Sequence, residues 1–366
     1  MKVVVVGGGA IGLSIAWRAA GRGLTVTVID PAPGRGASGV AAGMLAPVTE
    51  VHYGEEDLLA LNLESARRYP EFVAGLEAAS GVETGYRACG TVAVARDPDD
   101  LAALEELVAY QRSLGLEVER LRSSELRRLE PGLAPGVRGG ALVTGDHQVD
   151  PRRLTSALVA ACRRSGVVLR AERAVAVEAC SVTSESGAVD HGDAVVLAAG
   201  AWWGALDGVP AEVRRAVRPV KGQVLRLRGP GEPPINRNVR GAEAYLVPRH
   251  DGEVVVGATV EDRGFDTVVT GGAVHELLRA AIELVPDVAE LALVETAAGL
   301  RPGTPDNAPL IGATASEGLV VAGGHYRNGI LLAPVTADAV AELLANGVAP
   351  PEIAAFSPQR FERVLS

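Results

Sequence analysis

Val3-Val4-Val5-Val6-Gly7-Gly8-Gly9-Ala10-Ile11-Gly12 is the stretch whose reading decides the fold. Four valines in an unbroken β-branched run describe a strand buried on both faces of a parallel sheet. Glycines end the run, and after Gly12 the apolar positions Leu13, Ala16, Trp17 and Ala20 recur at helical spacing. Gly21 and Gly23 close that pattern before a second apolar run at 24–29, so the segment is a βαβ unit. Within it Gly7, Gly9 and Gly12 fit G-x-G-x-x-G. The first glycine allows the tight turn, the second lets the backbone approach a pyrophosphate, and the third lets the helix pack on the strand. The helix N-terminus then faces the phosphates. Asp30 ends the second strand 18 residues beyond Gly12, where a carboxylate accepts ribose hydroxyls and repels a 2′-phosphate, which disfavours NADP.

Outward from that unit, residues 31–47 are rich in Gly, Ala and Ser with no strong period, long for a loop without function. Helical patterning resumes near Asp57. The charged, Leu-spaced stretch 97–132 predicts two amphipathic helices, the first ending near Gly115. Residues 151–164 predict a helix, followed by strand-like pieces at 167–169 and 174–177 and a buried strand at 193–199. Residues 224–227, 244–247 and 253–256 read as an antiparallel set, separated by turn residues such as His250-Asp251-Gly252. A helix at 274–284, a strand at 319–322 and a helix over 330–344 complete the pattern. The expected class is α/β: a Rossmann-like domain with a second domain built on a large antiparallel sheet.

The 366 residues suggest two domains at roughly 150 residues each. With 48% hydrophobic residues and a mean hydropathy of +0.19 the chain can bury a sizeable core, which excludes a disordered protein. The 45 acidic against 35 basic residues, net charge −10, would repel a phosphate backbone, so no nucleic acid partner is expected. Cys89, Cys162 and Cys180 are too few and too widely spaced for a disulfide framework or a zinc set, and six scattered histidines lack ligand spacing, so no metal is expected. Charges interrupt every apolar run before membrane-spanning length, and the N-terminal apolar run is too short for a signal peptide. These features point to a cytoplasmic protein with no membrane partner. Gly-x-Ser-x-Gly is absent, which removes the most local hydrolase signal.

Two features choose FAD over NAD. Residues 34–47 supply small side chains where the chain must run close to a large ligand. A second glycine-rich element, Gly323-Gly324-His325-Tyr326-Arg327-Asn328-Gly329, again lies between a strand and a helix, so a second helix N-terminus points at a ligand and favours an anionic reduced flavin.

Taken together, GGGAIG (7–12), ASGVAAGML (37–45), YLVPR (245–249), GLRPGTPDNAPLIG (299–312) and GHYRNGILLAP (324–334) resemble the glycine oxidases of the FAD-dependent amine and D-amino acid oxidase superfamily. The resemblance spans the whole chain in order. It implies a discontinuous FAD-binding domain of the glutathione-reductase-2 type (1–80, 142–212 and 302–366) and a substrate domain (81–141 and 213–301). It also implies FAD contacts at Ala10, Ile11, Asp30, Pro31, Ala37, Ser38, Ala42, Gly43, Met44, Val175, His325, Tyr326, Arg327, Asn328, Gly329, Ile330 and Leu331, beside the fingerprint glycines. Arg301 and Tyr245 match a carboxylate clamp, and Arg327 a second arginine close to flavin and substrate. A planar guanidinium offers parallel donors to a carboxylate and a phenol adds another, which supports the clamp on chemical grounds. Arg301 reads as part of a Gly-Leu-Arg-Pro-Gly turn. No cysteine follows Cys180, so the FAD is expected to be noncovalent.

The activity implied is oxidation of an amino acid at Cα, with hydride passing to flavin N5. The imine hydrolyses to glyoxylate plus ammonia or amine, O2 is reduced to hydrogen peroxide, and a link to thiamine thiazole formation follows from the family. The clamp reads any α-amino carboxylate, so glycine, sarcosine and larger N-carboxymethyl amines all stay open as substrates. With Met44, Val260 is expected to line the substrate pocket, where some glycine oxidases carry a larger methionine. A homo-oligomer, dimer or tetramer, is expected on general grounds. A quinone-linked amino acid dehydrogenase and a flavoprotein that binds without turnover stand as rivals. Lys221, in Pro-Val-Lys-Gly, is either a cation near the flavin or a structural lysine. Trp202-Trp203 packs near the cofactor or in the core.

Overall fold

The computed structural model describes residues 1–361; the last five residues of the expected 302–366 segment lie outside the described residues. The valine run forms the strand β1 (Lys2–Val6), followed by the helix α1 (Ala10–Gly21) and the strand β2 (Thr25–Ile29). β1 pairs in parallel with β2 and, on its other side, with Ala194–Leu197. Both neighbours and both faces of β1 are thus covered, which is why Val3 to Val5 are fully buried and no polar residue interrupts them. The six-stranded sheet continues through Leu319–Gly323 to an antiparallel edge, Leu310–Ala313, and on the opposite side through Val168–Arg170. α1 packs between the helices Pro151–Arg164 and Ala333–Asn346, and their apolar faces share one core cluster with β1 and β2.

The second layer system is an eight-stranded sheet. Its order runs from the edge strand Ala292–Gly303 through Arg218–Arg228, Glu253–Gly257, Tyr245–Pro248, Asn238–Arg240, Thr91–Ala95 and Gly139–Val143 to Glu119–Arg122. The three predicted antiparallel strands lie side by side in it, next to the edge strand Ala292–Gly303. One face buries a separate core against the helix Gly271–Leu284, and its other face contributes to the cavity described below.

Three elements differ from the sequence reading. Of the two helices expected in 97–132, the first is Pro98–Ser113, started by Asp97 accepting from the Asp100 N–H at 2.8 Å. The second is divided into the edge strand Glu119–Arg122 and the short helix Ser123–Leu129. Only Leu121 of that strand is buried, so its composition is that of a charged surface helix, and pairing with Gly139–Val143 decides its form. Residues 31–47 contain a four-residue helix, Ala37–Val40, and the strand Met44–Leu45. Arg301 is not in a turn: it belongs to the twelve-residue strand Ala292–Gly303, whose Ala and Gly content hid it from propensity.

Candidate active site

A cavity of about 710 Å³ extends between the two sheets. At one end lies the N-terminus of α1. Its N-cap, Gly9, has no side chain to accept from the first-turn N–H groups, and Ser38 Oγ accepts from only one of them, the Ala10 N–H, at 3.0 Å. A Cβ at Gly12 would lie 1.9 Å from the Gly7 carbonyl, and Gly7 itself has φ +106°. These glycines therefore set how closely helix and strand approach. Asp30 closes β2, its Oδ2 accepting from the Gly8 N–H and its Oδ1 from the Ala32 N–H, both at 2.7 Å. The carboxylate is thereby held at the rim of the cavity with lone pairs left for hydroxyls.

Of the residues expected to contact FAD, all but Asn328 and Leu331 line this cavity; among the fingerprint glycines Gly7 and Gly9 line it while Gly12 lies behind them. Leu331 is in the core, its carbonyl accepting from Ser65 Oγ at 2.6 Å. Asn328 is buried beside His325, whose carbonyl accepts its N–H at 2.9 Å. His325 reaches the cavity wall, but its Nε2 lies 3.0 Å from Thr336 Oγ1, and burial pushes its pKa down to about 3, so the ring is neutral. Tyr326 takes φ 45°, uncommon for a residue with a Cβ, and its N–H donates to the Pro302 carbonyl at 2.9 Å. That bond ties the loop that follows the strand Leu319–Gly323 to the strand that carries Arg301. Arg327 Nε is buried without a partner, an orphan donor on a residue of the cavity wall. A glycine cradle, a free helix N-terminus, a ribose-type carboxylate and an unpaired guanidinium donor form a donor set that fits a dinucleotide carrying an anionic, hydrogen-bonding ring.

Tyr245, Arg301, Arg327, Met44 and Glu50 line the cavity together. Glycines make the room. A Cβ at Gly222 would fall 2.3 Å from Arg301 Nη1, and one at Gly257, paired directly with Tyr245, would fall 2.4 Å from the phenol carbon Cζ. Strand register brings the pieces side by side, since Val220 opposes Arg301 and Gly222 opposes Gly299. Arg301 Nη1 donates to the Thr259 carbonyl at 3.0 Å and, at a longer 3.5 Å, to that of Lys221. Among the described residues Arg301 has no salt bridge, so its charge is available to an anion. Burial raises the Tyr245 pKa, opposed by Arg301 beside it, so the phenol keeps its proton and donates.

Glu50, Arg240 and Gly222 were not found from the sequence. Burial opposes ionisation of Glu50, yet Arg240 and Arg327 hold its carboxyl below its ordinary range, and Arg240 donates to it directly. Glu50 comes five residues after Leu45, the last residue of the ASGVAAGML motif, and that proximity was the available signal. Behind it, Asp146 accepts from Val48 N, Thr49 N and Thr49 Oγ1 at 2.6–3.1 Å, and burial raises its pKa to about 6. Arg249, fully enclosed, donates to the carbonyls of Ala42 and Val149 and to Gln148 Oε1, which fixes the strip bearing Gly43 and Met44.

Three expectations need correction or decision. Val260 does not line the cavity: it follows the strand Glu253–Gly257 and is 63% exposed, so its size does not set the pocket. Trp203 is fully buried against Gly323, whereas Trp202 lines the cavity mouth and stacks on Phe265, ring centroids 4.8 Å apart. Lys221 is buried but not in the cavity wall. Among the described residues no cluster of metal-ligating side chains occurs, and no helix is long and apolar enough to cross a membrane.

Residues 2–343 match the family described as DAO, FAD dependent oxidoreductase. The chain is 38% identical over 98% of its length to the bifunctional protein ThiO/ThiG of Synechocystis sp., of which it covers 54%, so it spans about half the length of that relative. It is 33% identical to the glycine oxidase of Geobacillus kaustophilus, over 98% of this chain and 96% of that protein. The crystal structure of a glycine oxidase from the same organism superposes with a TM-score of 0.91 at 32% identity, covering 98% of this chain and 99% of that one.

Proposed function

We propose, from the premise that this chain belongs to the FAD dependent oxidoreductase family and is an FAD-dependent enzyme, that it oxidises glycine or an N-substituted glycine. The observation that carries the reading is the meeting, in one cavity, of the dinucleotide cradle with Arg301, Tyr245 and Arg327. We assign the six-stranded sheet and its helices to the cofactor and the eight-stranded sheet to the substrate, with the FAD held noncovalently by the cavity-lining residues named above. The small-residue strip 41–43, Met44, Tyr326 and Arg327 all line that cavity.

FAD bound here supplies a two-electron acceptor for the Cα–H bond of an amine. The residues of this chain supply position. Arg301 and the protonated Tyr245 hold the carboxylate by charge-assisted hydrogen bonds in one plane, which aims Cα in a single direction. Glu50 stays ionised between Arg240 and Arg327, so it offsets two cations and leaves Arg301 as the less compensated charge for an anion. It also places a negative charge where an amine or ammonium group would lie and disfavours a second carboxylate on the substrate. Since Glu50 is engaged by Arg240, it is not assigned as a base; the amine proton leaves to water. Imine release, hydrolysis to glyoxylate, and peroxide from O2 complete the reading. A cytoplasmic location, symmetric self-association and a step toward a thiazole belong to the same proposal.

The test is an anaerobic titration of the purified yellow protein with glycine, sarcosine and bulkier N-alkylglycines. The visible flavin band is followed, and air is then readmitted. Bleaching, reoxidation and one equivalent of peroxide are expected. Bleaching without reoxidation by air would favour a dehydrogenase, and a band that no amine bleaches would overturn the reading.

A further inference from the structure

Lys221 lies in the strand next to the one carrying Arg301; the site described above uses its backbone carbonyl but not its side chain, which is 1% exposed. Its Nζ donates to Asp266 Oδ2 and to the Val268 carbonyl, both at 2.6 Å, while its backbone exchanges hydrogen bonds with Glu261 at 2.9 and 3.0 Å. Gln223, two residues on and on the same face, repeats the pattern. Its N–H donates to Thr259 Oγ1 at 2.9 Å, its Nε2 to Glu261 Oε1 at 2.7 Å, and its Oε1 accepts from the Thr270 N–H at 2.9 Å. Segment 259–270 is therefore laced to one strand by side chains that a sheet ladder does not require.

What the lacing holds in place is part of the clamp. The Thr259 carbonyl is the shorter of the two acceptors that orient Arg301, and the Lys221 carbonyl is the other. At its far end the segment sets Phe265 against Trp202 and brings Thr267 to the cavity. A buried ammonium is costly to desolvate, and a hydrocarbon of equal length would fill the same space. The ammonium adds the ability to grip Asp266 and the Val268 carbonyl at once.

Resting on the reading of Arg301 as the carboxylate clamp, we propose that Lys221 is a positioning residue for substrate: by fixing residues 259–268 it sets the carbonyl against which the Arg301 guanidinium is aimed.

The test uses the FAD-loaded enzyme and acetate as a plain carboxylate probe, its dissociation constant read from the perturbation of the flavin band. The limiting rate of anaerobic flavin reduction by glycine is measured beside it. Lys221→Met keeps the side-chain length, and the groups it releases rehydrate because Asp266 is 40% exposed and Val268 66% exposed. Expected are a rise in Kd for acetate of about tenfold, the loss of roughly one well-aimed hydrogen bond, a parallel rise in KM for glycine, and a limiting rate close to wild type. Asp266→Asn, which keeps an acceptor and loses the charge, should move acetate affinity in the same direction by less. A purely structural lysine would lower Tm and leave acetate affinity alone, and that result overturns the proposal. Should Lys221→Met fail to retain FAD, unchanged acetate affinity in Asp266→Asn overturns it equally. Acetate binding by wild type that is lost in Arg301→Met but kept in Lys221→Met removes the role of Lys221 alone. A wild type that neither binds acetate nor is reduced by glycine removes the clamp itself.

Discussion

Gly222→Ala separates the clamp from the fold more cleanly than removing the arginine. The new Cβ would sit 2.3 Å from Arg301 Nη1 and 2.5 Å from its Cζ, where ordinary contact begins at 3.4 Å, so the guanidinium must withdraw by about 1 Å. The atoms that yield are the end of a flexible side chain, and Gly222 has no positive φ, so an alanine is compatible with its strand backbone. Stability should accordingly stay near wild type. A displacement of that size breaks one of two parallel bonds to a carboxylate, worth about 1.5–3 kcal/mol for a charged pair, or about 10- to 150-fold in affinity. The assay is anaerobic flavin reduction against glycine concentration, with Tm and flavin content as controls. Wild-type affinity for glycine in a stable, yellow Gly222→Ala protein would refute both the clamp and the reason given for the glycine.

Gly12→Ala should yield protein without flavin, because its Cβ would meet the Gly7 carbonyl at 1.9 Å and backbone cannot withdraw as a side chain can; absorbance per polypeptide checks this. Tyr245→Phe removes one donor to the carboxylate and should raise KM about tenfold with FAD retained, measured by the same reduction assay. Val260→Met should change turnover of glycine and of N-substituted glycines by the same factor, since the residue is 63% exposed and outside the cavity. The folded-state pKa of His325 is depressed to about 3 from an ordinary 6.5, so the unfolded chain binds the proton first as pH falls. Its contribution to stability is thus present above pH 6.5 and is lost progressively toward pH 3. Asp146, raised to about 6 by burial, acts oppositely between about pH 4 and 6. Replacing His325 by Gln, which can still bond Thr336, should flatten the acid limb of a Tm-against-pH curve; an unchanged curve would mean that the histidine does not titrate as described.

The βαβ unit was legible in the sequence because its signals are local: a valine run, helical spacing and glycines within about thirty residues, where sterics of neighbouring atoms decide the outcome. The same holds for Asp30 at the end of β2 and for the loop His325 to Gly329, which lie where their flanking strands deliver them. The clamp residues could be named from motifs, but their meeting could not be derived from spacing. Glu50, Gly222, Tyr245, Gly257 and Arg301 are dispersed over some 250 positions, and only antiparallel register sets Gly222 beside Arg301 and Gly257 beside Tyr245. A shift of one residue would turn the Tyr245 and Arg301 side chains to the opposite face of the sheet. Tertiary structure likewise turned Val260 outward, buried Lys221 against a surface carboxylate, and made an edge strand of charged residues at Glu119–Arg122. In each case the deciding contact comes from another part of the chain, whose distance along the sequence leaves no periodicity to read.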